Sequence, residues 1–328
     1  MTAGSVRSSN GRFFNPWAGA RPGGFLDLVR WAIERRVKPP PPDPPSSAFP
    51  RVTPAFERPR AAAGALTVTW IGHASVLVQI AGRNVLIDPT FSERASPVGF
   101  AGPRRWVPPG VRLNELPPID LVLISHNHYD HLDASSVRAL AGGFSAAPWV
   151  APLGVARLLR RWGARRVTEL DWWAATELGP LSVMATPAQH FSARHFFDRN
   201  RSLWCGWGLS GNRRAVFFAG DTGYHPAFAE IGQRLAPLDV VLMPVGAYEP
   251  RWFMQSVHLN PEEAVRAFED LTASGPSRPT LVPIHWGTFK LSDEPMDEPP
   301  RRVRAAWEAR GLPAAELWIP RHGETRAF

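Results

Sequence analysis

The chain has 328 residues, 44% hydrophobic and 20% charged, an ordinary globular balance that is long enough to bury a sizeable core. A single cysteine, Cys205, excludes an internal disulfide and a thiolate metal cluster, so any metal must be held by histidine and carboxylate. The formal charge of +8 is uneven: residues 1–60 hold ten Lys/Arg against four Asp/Glu, a basic arm able to meet an anionic surface.

No apolar run approaches the ~20 residues of a membrane-spanning helix, and MTAGSVRSSNGRFF lacks the apolar stretch of a secretory leader. The expectation is a cytoplasmic protein, with peripheral membrane contact through the arm. Residues 1–24, rich in Gly, Ser, Arg and Pro, read as irregular. FLDLVRWAIERRV (25–37) reads as a short amphipathic helix, with Phe25, Leu28, Val29 and Ala32 on one face. The run KPPPPDPP (38–45) stops it and should be extended chain. The arm is thus placed at 1–60 and a catalytic domain at 61–328.

From residue 66 the pattern turns to strands. LTVTWIG (66–72) and SVLVQIAG (75–82) alternate and are β-branched, and NVLIDP (84–89) follows a turn. IDLVLIS (119–125) is a continuous apolar run, as for a strand buried on both faces. A helix is expected over 134–141, a strand at WVAP (149–152) and a helix over 153–162. LSVMATPA (181–188), AVFFAGD (215–221), DVVLMPVG (239–246) and TLVPIHWG (280–287) read as strands. Asn260-Pro261-Glu262-Glu263 opens a helix, with an Asn cap, a first-turn Pro and two acids. Strands alternating with helices suggest sheets covered by helices.

The chemistry is concentrated in Ser125-His126-Asn127-His128-Tyr129-Asp130-His131, directly after the buried strand. Three imidazoles and a carboxylate within six residues are the ligands that Zn²⁺ accepts when no cysteine is available. His190, Asp221 and His285 each close another predicted strand. Any one alone would more often be a packing or capping residue, but all three repeat the position of the first cluster. The set divides into His126, His128 and His190 for one ion and Asp130, His131 and His285 for another, with Asp221 between them. Each ion then has four protein ligands or fewer, and the open positions suit catalysis rather than a closed structural site. Asp88 ends a strand before Pro89 and could accept a hydrogen bond from a ligand imidazole. His73, in a turn between two strands, reads equally as a site-lining or a turn residue, and His195, His225 and His322 carry no assignable site role.

HNHYDH resembles the HxHxDH signature of the metallo-β-lactamase superfamily, and His190, Asp221 and His285 match its later ligand positions. TWIGHASVLV, ISHNHYDHLD, ELDWW, FFAGDTGY, GAYEPRWFM, HLNPEEAV, IHWGTF, RHGETR and the early RFFNPW (12–17) are similar, in the same order, to the N-acyl-phosphatidylethanolamine-hydrolysing phospholipase D family. The resemblance implies an α+β fold, an αββα sandwich of two mixed β-sheets flanked by helices. It implies two Zn²⁺ per chain and a phosphodiesterase releasing an N-acylethanolamine and phosphatidic acid. It implies substrate contacts by Tyr129 and His258 and a site role for Asp88 beside the catalytic Asp130, His131 and Asp221. The stretch FSARHFFDRN (191–200) departs from the family pattern.

Two other functions compete. One is a lactonase or another phosphodiesterase on the same scaffold, since fold does not fix function. The other is a non-catalytic membrane-binding protein using the arm, which the full ligand set argues against. The expected partners are a phospholipid substrate and the membrane surface, with a homodimer as a possible assembly. Nucleic acid is not expected, because no recognition motif is visible.

Overall fold

The computed structural model describes all residues except 1–3, 9, 18, 20, 145, 196, 274, 276 and 277. In chain order the strands are β1 (Val6–Arg7), β2 (Phe13–Phe14), β3 (Leu66–Gly72), β4 (Ser75–Ile80), β5 (Arg83–Ile87), β6 (Leu121–Leu123), β7 (Trp149–Pro152) and β8 (Val167–Leu170). They continue as β9 (Ala175–Leu178), β10 (Leu181–Thr186), β11 (Gly206–Gly211), β12 (Arg214–Phe218), β13 (Val240–Pro244), β14 (Thr280–Ile284) and β15 (Thr325–Ala327). The helices are α1 (Phe25–Val37), α2 (Ala134–Gly143), α3 (Ala156–Arg161), α4 (Phe228–Leu235), α5 (Arg251–Met254), α6 (Pro261–Thr272) and α7 (Glu298–Ala309).

Two large sheets form, ordered β15-β3-β4-β5-β6-β7-β8 and β14-β13-β12-β11-β10-β9. Both are mixed. β5 to β8 run parallel, as do β12 to β14, while the hairpins at the other side of each sheet are antiparallel.

Successive strand side chains point to opposite faces, and the sequence uses both. In the first sheet Val68, Trp70, Val76, Val78, Val85 and Ile87 face the second sheet, where Val183, Trp207, Val216, Phe218, Val240 and Leu242 meet them. The intervening Leu77, Leu86 and Val122 face outward onto Val137, Leu140 and Leu159 of α2 and α3. Phe217, Val241 and Met243 of the second sheet face outward onto α4, α6 and α7 through Phe228, Val265, Phe268 and Trp307. Two sheets with apolar side chains on both faces need helices on both outsides, and the αββα sandwich follows.

Two expectations need correction. Within residues 1–24 a short hairpin pairs β1 with β2, anchored by Phe13, which is buried in the inter-sheet core. The helix expected over 153–162 begins only at Ala156, because Gly154 occupies a left-handed conformation at φ +88 and turns the chain. The arm also packs on the sandwich. The Trp17 ring stacks on Trp172 and His225, and Trp31 of α1 is buried with its Nε1 donating to Asp293 at 2.6 Å. No helix among the described residues is long and apolar enough to cross a membrane.

Candidate metal centre

The ends of β5, β6, β10, β12 and β14 meet at one end of the sandwich, between the two sheets, and each delivers a polar side chain there. The loop after β6 supplies His126, His128, Asp130 and His131; the segments after β10, β12 and β14 supply His190, Asp221 and His285. Of these seven only His128 is more than marginally exposed. Asp88 and His285 hold φ of +43 and +65, a region that side-chain-bearing residues adopt rarely and that marks functional sites.

Two sets of donors emerge, and their spacings can be compared with those around a tetrahedral ion. Ligands about 2.0–2.2 Å from such an ion stand about 3.3–3.5 Å from one another. In the first set His128 Nδ1 lies 2.9 Å from His126 Nε2 and 3.1 Å from His190 Nε2, and Asp221 Oδ2 lies 3.8 Å from both of those Nε2 atoms. In the second, Asp130 Oδ2 lies 3.4 Å from His131 Nε2 and 3.5 Å from His285 Nε2, which are 3.3 Å apart. Asp221 closes that set at 3.0 Å from His131 and 3.2 Å from His285. The donor types and spacings fit a pair of divalent cations sharing Asp221.

Surrounding groups choose which nitrogen faces inward. His131 Nδ1 pairs with Asp88 Oδ2 at 2.8 Å and His190 Nδ1 with the Val257 carbonyl at 2.9 Å, so each Nδ1 carries a hydrogen and each Nε2 faces into the site. Asp88 is fully buried and also accepts from the Ser125 backbone N–H at 2.7 Å, which fixes the start of the histidine loop. Burial lifts the Asp88 carboxyl pKa, with its His131 and Ser125 hydrogen bonds pulling the other way.

The electrostatics call for positive charge. Burial holds His126 well below its ordinary pKa, His128 at about 3 and His190 at about 4, so these imidazoles are neutral donors. Burial works equally against charge on His131 and His285. There Asp221 and Asp130 outweigh it, lifting His131 well above the usual range and His285 to about 9. The same imidazoles hold Asp130 and Asp221 well below the carboxylate range against their burial. Protons on His131 and His285 thus occupy the place that cations would take between two buried carboxylates.

Tyr129 and His258 stand at different distances from this centre. His258 is buried, its ring 5.1 Å from His190 and 5.5 Å from His285, and one of its ring nitrogens lies among the donors with His190 and Asp221. Tyr129 packs with Arg194. Its hydroxyl donates to the Arg194 carbonyl at 2.7 Å, and the Arg194 guanidinium lies 4.0 Å over its ring. It lines a cavity of roughly 430 Å³ that also carries Arg94, Arg138, Arg161 and His195.

Sequence reasoning missed Asn15 of the arm, which exchanges two hydrogen bonds with the His190 backbone, 2.9 Å to its carbonyl and 3.2 Å from its N–H. It also left open His73, whose Nε2 lies 2.8 Å from Asp130 Oδ2. The one available signal was their membership of motifs, RFFNPW and TWIGHASVLV, that carry no metal ligand.

Known proteins resemble this chain along most of its length. The model of the beta-lactamase superfamily domain matches residues 83–286. An uncharacterised protein of Mycobacterium tuberculosis is 44% identical over 86% of this chain and 74% of its own. N-acyl-phosphatidylethanolamine-hydrolyzing phospholipase D 1 of Caenorhabditis elegans is 39% identical over 75% of this chain and 70% of its own. A metal-dependent hydrolase of Methanopyrus kandleri is 30% identical over 79% and 99%. Among solved structures, Igni18, a metallo hydrolase of Ignicoccus hospitalis, superposes with a TM-score of 0.59 at 23% identity, covering 80% of this chain and 98% of its own, a likeness of fold.

Proposed function

The chain belongs to the metallo-β-lactamase superfamily of metal-dependent hydrolases, and from that membership we propose that it is a two-zinc phosphodiesterase of phospholipase D type. Its substrate would be an N-acyl-phosphatidylethanolamine-like lipid, cleaved to an N-acylethanolamine and phosphatidic acid. The observation that carries the reading is the pair of donor sets sharing Asp221, with His258 beside them. The name and 39% identity of the Caenorhabditis elegans relative support the substrate class.

His126, His128 and His190 would hold one ion and Asp130, His131 and His285 the other, with Asp221 serving both. Zinc bound there would supply Lewis acidity toward a phosphoryl oxygen and a more acidic water at neutral pH. Asp88 keeps His131 in the tautomer that leaves Nε2 free. His258, beside His190 and Asp221, would donate a hydrogen bond to the leaving headgroup oxygen. Tyr129, held by Arg194, walls the neighbouring basic cavity, where the guanidinium groups favour an anionic headgroup.

A lipid substrate must be reached at a membrane surface. Arg199 donates to the Gly23 carbonyl at 2.8 Å, just before α1, and its guanidinium lies over Phe191, whose ring sits 4.5 Å from that of His128. The start of α1, with exposed Phe25 and Leu26, is therefore linked through Arg199 and Phe191 to the donor end of the molecule. That placement favours peripheral membrane contact through the arm.

The test is hydrolysis of a mixed phospholipid extract in ¹⁸O-water, with products read by mass spectrometry. N-acylethanolamine should be released unlabelled, and one labelled oxygen should appear in phosphatidic acid. Label in the alcohol would mean carbon–oxygen cleavage. Turnover of a lactone without turnover of bis-p-nitrophenyl phosphate or of any phospholipid would move the chain to a lactonase. Elemental analysis of active protein should give about two zinc ions per chain, and Asp221→Asn should weaken both.

A further inference from the structure

We infer that His73 is a positioning residue for Asp130: its Nε2–H donates to the carboxylate oxygen that faces the second metal position. The inference rests on the metal reading above, and it concerns a side chain outside the seven donors.

His73 sits in the turn between β3 and β4, 1% exposed, at φ +55. A histidine held in the left-handed region needs its surroundings to fix it there, and they do. Its backbone N–H donates to Thr288 Oγ1 at 2.8 Å, and its carbonyl accepts from Trp70 Nε1 at 2.8 Å and from the His285 N–H at 3.0 Å. Thr288 Oγ1 is in turn 3.0 Å from His322 Nε2, in the closing RHGETR segment. The turn is therefore clamped to a strand of its own sheet, to the donor-bearing end of β14 and to the C-terminal segment.

Among the described residues the side chain has one hydrogen-bond partner. His73 Nε2 lies 2.8 Å from Asp130 Oδ2. The same oxygen stands 3.4 and 3.5 Å from His131 and His285 Nε2, the spacing of neighbouring ligands on one tetrahedral ion. A separation of 2.8 Å is an ordinary hydrogen-bond length. Asp130, His131, His285 and Asp221 already give the second position four protein donors, a full tetrahedral set, so His73 acts as a donor to a ligand rather than as a fifth ligand. A carboxylate only accepts, so the hydrogen must be on Nε2 and Nδ1 must be bare. Nδ1 has no hydrogen-bond partner among the described residues, so this tautomer leaves an acceptor rather than a buried N–H unpaired. Phe289, edge-on at 5.2 Å, and the His285 ring at 3.9 Å hold the imidazole plane.

Two consequences follow. The bond restrains rotation of Asp130, so one oxygen would be presented to an ion and the carboxylate would bind through a single atom. It also draws charge from that oxygen, leaving the second position more electrophilic than a free aspartate would. The first donor set contains no carboxylate of its own to receive such a bond, so the effect is confined to one of the two positions.

The experiment compares wild-type, His73→Ala and His73→Gln, the last keeping an N–H donor at similar reach. Metal-stripped protein is titrated with Co²⁺ and followed by its visible spectrum, and zinc content is measured after dialysis against a weak chelator. In His73→Ala the first equivalent should bind as in wild-type and the second about 10–100-fold more weakly, with His73→Gln recovering most of the loss. Equal binding of both equivalents by His73→Ala, equal weakening of both, or a His73→Gln as defective as His73→Ala would each overturn the inference. Should the variants not fold, ¹⁵N spectroscopy of the wild-type zinc protein still decides: His73 must show Nε2–H and a bare Nδ1, and the opposite tautomer or a metal-bound Nε2 rejects the role. A wild-type protein that takes up no metal would reject the metal reading itself, a result distinguishable from any of these.

Discussion

His225 lies face to face between Trp17 and Phe228, its ring centroid 4.4 and 4.1 Å from theirs, and neither ring nitrogen has a hydrogen-bond partner among the described residues. It is fully buried, and burial pushes its pKa down to about 3. Above pH 6.5 the imidazole is neutral whether the chain is folded or not, and it adds no pH dependence. As pH falls below 6.5 the unfolded chain takes up a proton that the folded chain refuses. Stability should then drop by about 1.4 kcal/mol per pH unit for this residue until about pH 3. His225→Phe keeps the stack and removes the titration. Denaturant unfolding at pH 7 and pH 5 should show the variant losing about 2 kcal/mol less than wild-type over that interval, with the metal-linked part of the pH dependence common to both. Identical pH dependence would contradict the burial argument. The same scale explains what the sequence could disclose of the site. The four donors of 126–131 share one loop, and His190, Asp221 and His285 each follow a strand, so spacing and strand ends reveal them. His73 acts through one hydrogen bond to a residue 57 positions away and Asn15 through two to a residue 175 positions away, and such isolated contacts leave no periodic trace.

At the level of elements, Asp133 joins the donor loop to α2. Its carboxylate accepts from the Ser135 and Ser136 backbone N–H groups at 3.2 and 3.3 Å, capping the helix, and from Ser92 Oγ at 2.7 Å across the loop. Asp133→Ala should cost about 1–2 kcal/mol, the loss of a helix cap, measured as a lower denaturation midpoint; an unchanged midpoint would mean that the cap is idle. Elements with a strong local signature were legible: α1 from its spacing, α6 from the Asn260 cap, β3 and β4 from alternation between turns, and β14 as a short apolar run. β11 was not. GWGLSG has three glycines and a poor intrinsic claim to be a strand. The glycines are there because the strand is closely approached: a Cβ on Gly206 would lie 2.6 Å from Thr186 Oγ1, and one on Gly208 would collide with Leu235 of α4. Tertiary packing chose the strand over propensity. α7 was hidden for a different reason. Its Pro299 and Pro300 read as breakers, yet they fall in the first helical turn, where no N–H is needed.

For the molecule as a whole the open matter is what the basic arm does, and the fold decides how that can be asked. Removing residues 1–45 would also remove Phe13 from the inter-sheet core, the Trp17 stack and the Asn15 bonds to His190. A truncated chain would therefore lose lipid binding and the site together, and the loss could not be assigned. Surface substitutions on α1 avoid this. Trp31 turns inward against Phe253, and Arg35 pairs with Asp293 at 3.0 Å, so the helix is seated by one face. Leu26 is 80% exposed, Ile33 56% and Val37 82%, beside Arg30 and Arg36 and followed by Lys38. An exposed apolar face edged by cations suits the interface of an anionic bilayer. Each such side chain moved from water into the acyl boundary contributes on the order of 1.5–3 kcal/mol, and 1.4 kcal/mol is tenfold in binding. Leu26→Glu with Ile33→Glu removes two of them and adds two repelled charges. Sedimentation with vesicles of phosphatidylcholine and phosphatidylglycerol should show wild-type protein bound and the double variant bound at least about tenfold more weakly. Wild-type binding should also weaken as salt is raised, because the cationic edge is screened. The variant should retain wild-type metal content and thermal unfolding, since neither side chain touches the donors or the core. Equal sedimentation of the two proteins would take α1 out of membrane contact and leave the arm as a structural clasp on His190.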